Sequence, residues 1–168
     1  MAVSAYEVIS TQTLGSATSA VTFSSIPATY TDLVLIAYSS TTTVGSSEFN
    51  KMTFNSDTAT NYSTTTLGGD GSSAASFRGT SVAYIRAGRN TANGDSYFVP
   101  NKIQIMNYAN TTTYKTAFAQ GPEAGTYMEN DVGLWRSTSA ITSVTLTAGA
   151  NNYKVGCTFT LYGVKAAE

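Results

Sequence analysis

The sequence predicts an all-β fold: an antiparallel β-sandwich, jelly-roll-like, with about ten strands and no significant helix. Three observations predict it. Thr, Val, Ile, Tyr and Phe dominate the ordered-looking segments, and such β-branched and aromatic side chains fit a pleated, half-buried surface. No long window carries an apolar stripe of helical period between capping residues, and Ala, Leu, Glu and Lys are too sparse to build one. Turn residues punctuate the chain every 10–15 residues or so, the spacing of short strands.

The strands are read in order. Ala5–Leu14 opens the chain, with Tyr6, Val8 and Ile9 as its apolar points. Ala20–Phe23 sets Val21 and Phe23 on one face, and Ile26-Pro27 then breaks the ladder because proline lacks a donor. Asp32–Ser39 is apolar on both faces, Leu33, Leu35 and Ala37 against Val34, Ile36 and Tyr38, which predicts a central strand covered on both sides. Lys51–Phe54 and Ser81–Arg86 follow as short strands. Tyr97–Tyr108 turns Ile103 and Ile105 inward and Lys102 and Gln104 outward. Thr113–Ala119 alternates Tyr114, Thr116 and Phe118 with Lys115, Ala117 and Ala119. Val132–Trp135, Ile141–Thr147 and Gly156–Val164 complete the set.

Between them lie turn signals: Gly15-Ser16, Asn55-Ser56-Asp57, Gly68-Gly69-Asp70-Gly71, Asn93-Gly94-Asp95, Asn110 and Gly149-Ala150-Asn151-Asn152. Their residues accept the positive φ that tight turns need. Two stretches rich in Ser, Thr and Gly, Ser40–Asn50 and Asn55–Ala75, read as long loops. No repeat, heptad or linker divides the chain, so residues 1–168 are expected to form one domain.

Charge excludes several function classes. Nine bases against ten acids leave a net charge of −1, and the bases form no run. Nothing here attracts a nucleic acid or an anionic membrane. The longest apolar run, Leu33–Tyr38, is too short to span a bilayer, and Met1–Tyr6 lacks the basic and apolar regions of a secretory signal. Hydroxyls supply the polarity: 20 Ser and 28 Thr outnumber the formal charges more than twofold. A hydroxyl-rich, weakly charged surface packs closely against neighbours, since few charges must be stripped of water.

Chemistry-bearing residues are few. There is no histidine, which removes the usual nucleophile-activating triads and imidazole metal sites. Cys157, the single cysteine, shares its strand parity with Phe159 and Leu161 and reads as a small core residue. Among the acids only Glu129 and Asp131 are closely spaced, and an i, i+2 step on a strand puts them on one face. We read them as a solvated strand entrance rather than a catalytic or calcium-binding pair. Gly68-Gly69-Asp70-Gly71 lacks the lysine of a phosphate loop and the repeated acids of a calcium loop, and reads as a turn. Trp135, beside Val132 and Leu134, reads as core. Tyr62, Tyr97, Tyr127 and Tyr153 lie near turns, where a phenol either packs at the core edge or stacks on a sugar. No catalytic, cofactor-binding or metal-binding residue is assigned, and no enzymatic activity is expected.

Two stretches carry a resemblance. Tyr6-Glu7-Val8-Ile9 and Thr13-Leu14-Gly15-Ser16 lead into Val21-Thr22-Phe23-Ser24-Ser25-Ile26-Pro27-Ala28-Thr29-Tyr30-Thr31-Asp32-Leu33-Val34-Leu35. Near the other end, Ile141-Thr142-Ser143-Val144-Thr145-Leu146 is followed by Phe159-Thr160-Leu161-Tyr162-Gly163-Val164. Together they resemble small virion structural proteins, capsid-decoration or tail-fibre proteins, of tailed bacteriophages, especially phages of cyanobacteria and marine bacteria. The resemblance implies a virion protein assembled in the bacterial host cytoplasm, without an active site. It implies the major capsid protein or other virion proteins as partners, and a homo-oligomer, trimer or dimer. A capsid decoration (cement) protein is the leading expectation. A receptor- or glycan-binding module of a head or tail fibre, with a host glycan as partner, is the alternative. The two stretches are expected to be strands from opposite chain ends that pair or face each other and close one sandwich.

Overall fold

The computed structural model describes residues 5–43, 48–90, 98–123, 126–149 and 151–165. Twelve strands form two antiparallel sheets, with no helix among the described residues. In chain order they are β1 (Tyr6–Thr13), β2 (Ala20–Phe23), β3 (Asp32–Ser39), β4 (Phe49–Phe54), β5 (Tyr62–Gly69) and β6 (Ala74–Val82). Then come β7 (Ile85–Arg89), β8 (Val99–Met106), β9 (Lys115–Glu123), β10 (Tyr127–Trp135), β11 (Val144–Thr147) and β12 (Thr158–Val164). The larger sheet runs β1-β12-β3-β8-β9-β10-β5-β6, and the smaller β2-β11-β4-β7.

Setting aside β5, β6, β9 and β10 leaves β1-β12-β3-β8 facing β2-β11-β4-β7. The first strand lies beside the last and the second beside the penultimate, which is jelly-roll connectivity. The two chain ends do close the sandwich: Tyr6 pairs with Val164, and Phe23 with Val144. The remaining four strands, hairpins β5–β6 and β9–β10, extend the larger sheet beyond β8. The smaller sheet has no counterpart to them, so the larger sheet overhangs it.

Several expectations are corrected. The Asn55–Ala75 stretch is not one long loop. It holds β5 and the start of β6, joined by a turn in which Asp70 Oδ1 accepts from the amides of Ser72 (2.8 Å) and Ser73 (2.6 Å). Its Ser/Thr content hid a strand because Thr is β-branched and polar at once. Ser81–Arg86 is not one strand either: Ser81 has φ 57°, and the chain breaks between β6 and β7. These corrections raise the strand count from ten to twelve. The strand expected over Tyr97–Tyr108 is β8, and Tyr97 and the Asn93-Gly94-Asp95 turn lie outside the described residues.

The core lies between the sheets. Leu33, Leu35, Ile103, Ile105, Phe159 and Leu161 of the larger sheet meet Val21, Phe23, Met52, Phe54, Val144 and Leu146 of the smaller one. Each such side chain contributes about 1.5–3 kcal/mol by leaving water. Trp135 is core as expected, stacked on Tyr62 at 6.3 Å with Nε1 donating to Asp57 Oδ2 at 2.7 Å. Tyr62 and Tyr153 are fully buried. Their hydroxyls donate to the Asp57 carbonyl (2.9 Å) and to Asn50 Oδ1 (2.7 Å), so both serve packing and not surface stacking. Cys157 is buried too, and burial pushes its thiol above the ordinary range.

Candidate functional site

The predicted two-sided burial of β3 is half right. Leu33, Leu35 and Ala37 face the core; on the other side Val34 is buried and Ile36 half-buried, while Tyr38 is 47% exposed. The outer face of the larger sheet can be read from its register. One row crosses all eight strands: Val8, Tyr162, Val34, Gln104, Phe118, Val132, Thr65 and Arg78. A second row beside it runs Thr11, Thr160, Ile36, Lys102, Gln120, Asn130, Leu67 and Ser76. Arg78 and Lys102 are the only charged side chains in the two rows. Val8, Leu67, Val132, Met106 and Met128 project from this face with 40–61% of their surface exposed. The face thus sets exposed apolar side chains among hydroxyls and amides and carries little charge.

At its centre, Lys102 is directly opposite Gln120, and Gln104 directly opposite Phe118. The four side chains frame a recess of about 160 Å³. Gln104 is anchored through Nε2, which donates to Asp32 Oδ2 at 3.1 Å.

The second cluster sits where the larger sheet overhangs the smaller. Glu129 and Asp131 do share a face, but they are buried and not a solvated entrance. Asp131 Oδ2 accepts from the Gly88 amide at 2.8 Å, and Oδ1 accepts from Thr66 Oγ1. This one carboxylate therefore ties β10 to β5 within its sheet and to β7 of the opposing one. Gly88 has φ 77°, and a Cβ there would lie 2.1 Å from Asn101 Oδ1, so only glycine fits the bond's geometry.

Glu129 lies 3.5 Å from Arg86 and 3.7 Å from Arg89, and Arg89 Nε donates to Glu123 Oε2 at 2.8 Å. Arg86 stacks on Phe49 at 4.0 Å and Arg89 on Tyr127 at 4.5 Å. Thr66, Phe77, Arg86, Arg89, Tyr127 and Glu129 border an opening of about 160 Å³. The two arginines carried no motif in the sequence; they join the acids only through the sheet-to-sheet contact of β7 with β10.

Burial, and then the negative charge of Asp131, raise the Glu129 carboxyl above its ordinary value of 4.5, against the pull of both arginines. The folded chain thus keeps a proton that the unfolded chain sheds. Stability is fully present below about 4.5 and falls as pH climbs through the window up to the folded value. Glu129→Gln is expected to flatten this decline, which urea unfolding at a series of pH values from 4.5 to 8 measures. A slope matching that of the unmodified chain contradicts the assignment.

Among the described residues, no group of three or more His, Cys, Asp or Glu is placed to hold a metal ion. No helix there is long and apolar enough to cross a membrane. No protein-family model, curated protein or solved structure matches the chain.

Proposed function

We propose that this chain is a structural protein of a tailed-phage virion: a decoration (cement) protein that lies on the outer coat and stabilises it. Its partner is the major capsid protein or a neighbouring virion protein. The observation that carries the reading is the outer face of the eight-stranded sheet, poor in charge and with exposed Val, Leu, Met and Tyr. Such a face loses little on desolvation and gains from apolar contact. A stable coat contact needs on the order of 1,000 Å² or more of buried surface, which calls for a face of this breadth rather than a loop tip. The resemblance of the two chain ends to phage virion proteins agrees with it. Fold alone does not, because jelly rolls serve many functions.

The test is to add the purified chain to particles that lack it and measure saturable binding together with the temperature of particle rupture. Stoichiometric binding with a raised rupture temperature is expected. Binding confined to the tail tip, or none, overturns the cement reading.

One observation favours a second reading, a glycan-binding module. In the central recess, Phe118 offers an apolar ring face while Gln104, Gln120 and Lys102 offer hydrogen-bonding groups, the combination a sugar needs. Binding to host polysaccharide that is lost in Phe118→Ala, with no affinity for coat particles, selects that reading over the first.

A further inference from the structure

We infer that β6 is a self-association edge, through which two copies of this chain pair antiparallel about a two-fold axis and join their larger sheets into one. The inference goes beyond the coat-binding reading and stands without it.

Four strands end the two sheets, and three have their edges managed. β2 is four residues long, and Gln12 Nε2 donates to its Thr22 carbonyl at 2.8 Å. β7 is capped by side chains from the facing sheet: Thr64 Oγ1 accepts from the Arg86 amide at 3.3 Å, and Asp131 from the Gly88 amide at 2.8 Å. β1 is bulged between Val8 and Ser10, which bends an edge away from pairing.

β6 has one of these devices only at its far end, where Ser81 bulges between Thr80 and Val82. It is nine residues long, its register with β5 is regular from Ala74 to Thr80, and it contains neither proline nor lysine. No described side chain hydrogen-bonds its backbone. Ala74 to Arg78 are exposed on both faces, and Phe77 is 48% exposed. An open ladder of this length is a template for another strand.

The occupant is chosen by register and charge. Antiparallel pairing of an edge with itself is isologous and needs no second sequence. Because the sheet faces must continue, directly opposed residues must share parity. Placing Arg78 opposite its own copy sets two guanidinium groups side by side and draws in Ser81, whose φ of 57° breaks the strand. Placing Ser76 opposite its own copy shortens the ladder to Ala74–Arg78. Placing Phe77 opposite Phe77 of the second copy avoids both faults. Ala74 then faces Thr80, Ala75 faces Gly79, and Ser76 faces Arg78, so the strand's single charge meets a serine. A net charge of −1 adds little repulsion between copies.

Sedimentation equilibrium on the full chain tests this directly. The unmodified chain is expected to be in concentration-dependent monomer–dimer exchange. Ser76→Glu puts a carboxylate opposite Arg78 twice per dimer, and Ser76→Lys puts a like charge there. The dissociation constants of these two variants are expected to differ by about tenfold, with Ser76→Glu the tighter. Ser76 is an exposed serine, so both variants fold. In the same register Phe77→Cys forms a disulfide with its own copy under mild oxidation while Ser76→Cys does not, and buried Cys157 does not compete. A chain that stays monomeric at all concentrations up to about 1 mM overturns the inference. So does a dimer whose affinity ignores the charge at residue 76, or one that does not crosslink through residue 77.

Discussion

Asp131→Ala is expected to lower the unfolding free energy by about 3–5 kcal/mol, the cost of breaking one member of a buried, charge-bearing network. For a domain of this size that is a fall in Tm of roughly 6–20 °C. The magnitude follows from what is left behind. The buried Gly88 amide and Thr66 hydroxyl lose their acceptor. No local shift repairs it, because the positive φ of Gly88 fixes where its amide points. Asp131→Asn keeps an acceptor oxygen and roughly the same volume, so about half of that loss is expected. Urea unfolding of the two variants side by side separates the missing acceptor from the missing charge. Equal losses in both make the charge the dominant contribution.

The second large effect is on binding. Val132→Glu combined with Leu67→Glu should weaken attachment to coat particles by about 100-fold or more, since each carboxylate is stripped of water without a partner. The two positions lie on adjacent strands of the outer face and are 48% and 60% exposed in the free chain. Folding should therefore change by no more than about 1 kcal/mol. A Tm close to that of the unmodified chain, with attachment lost, assigns the effect to the face itself. Unchanged attachment removes this face from the contact.

How much was legible in the sequence depends on what each residue had to signal. Where one face is apolar and the other polar, the period of two gives both strand and side: Ile103 and Ile105 against Lys102 and Gln104 are placed as read. The two chain ends were also expected to pair or face each other, and Phe23 does pair with Val144. Two kinds of segment were not legible. In Thr64-Thr65-Thr66 each residue is at once β-branched and hydroxylated, so alternation carries no hydropathy signal although Thr64 and Thr66 are buried and Thr65 is exposed. In β3 the apolar second face reads as burial throughout, which holds for Val34 but not for Tyr38.

The acidic pair shows the same limit from the other side. Spacing placed Glu129 and Asp131 together, but their burial is set by β7, which reaches β10 only through the jelly-roll crossing. Lys115 is a further case. The alternation put it on one face with Ala117 and Ala119, but did not say which face is inward. In the fold it is fully buried, with Nζ donating to the carbonyls of Thr113 (2.8 Å) and Thr138 (3.2 Å), and burial lowers its pKa. Neither carbonyl lies on a strand, so no strand pattern announces the site.

The outer face carries the functional account, and methionine oxidation in the assembled particle examines it most directly. Met106 and Met128 project from that face, while Met52 is buried in the core and serves as the internal reference. With the chain bound stoichiometrically, Met106 and Met128 are predicted to oxidise several-fold more slowly than in the free chain while Met52 is unchanged. Oxidation of both at the free rate, in particles that carry the chain, contradicts the account.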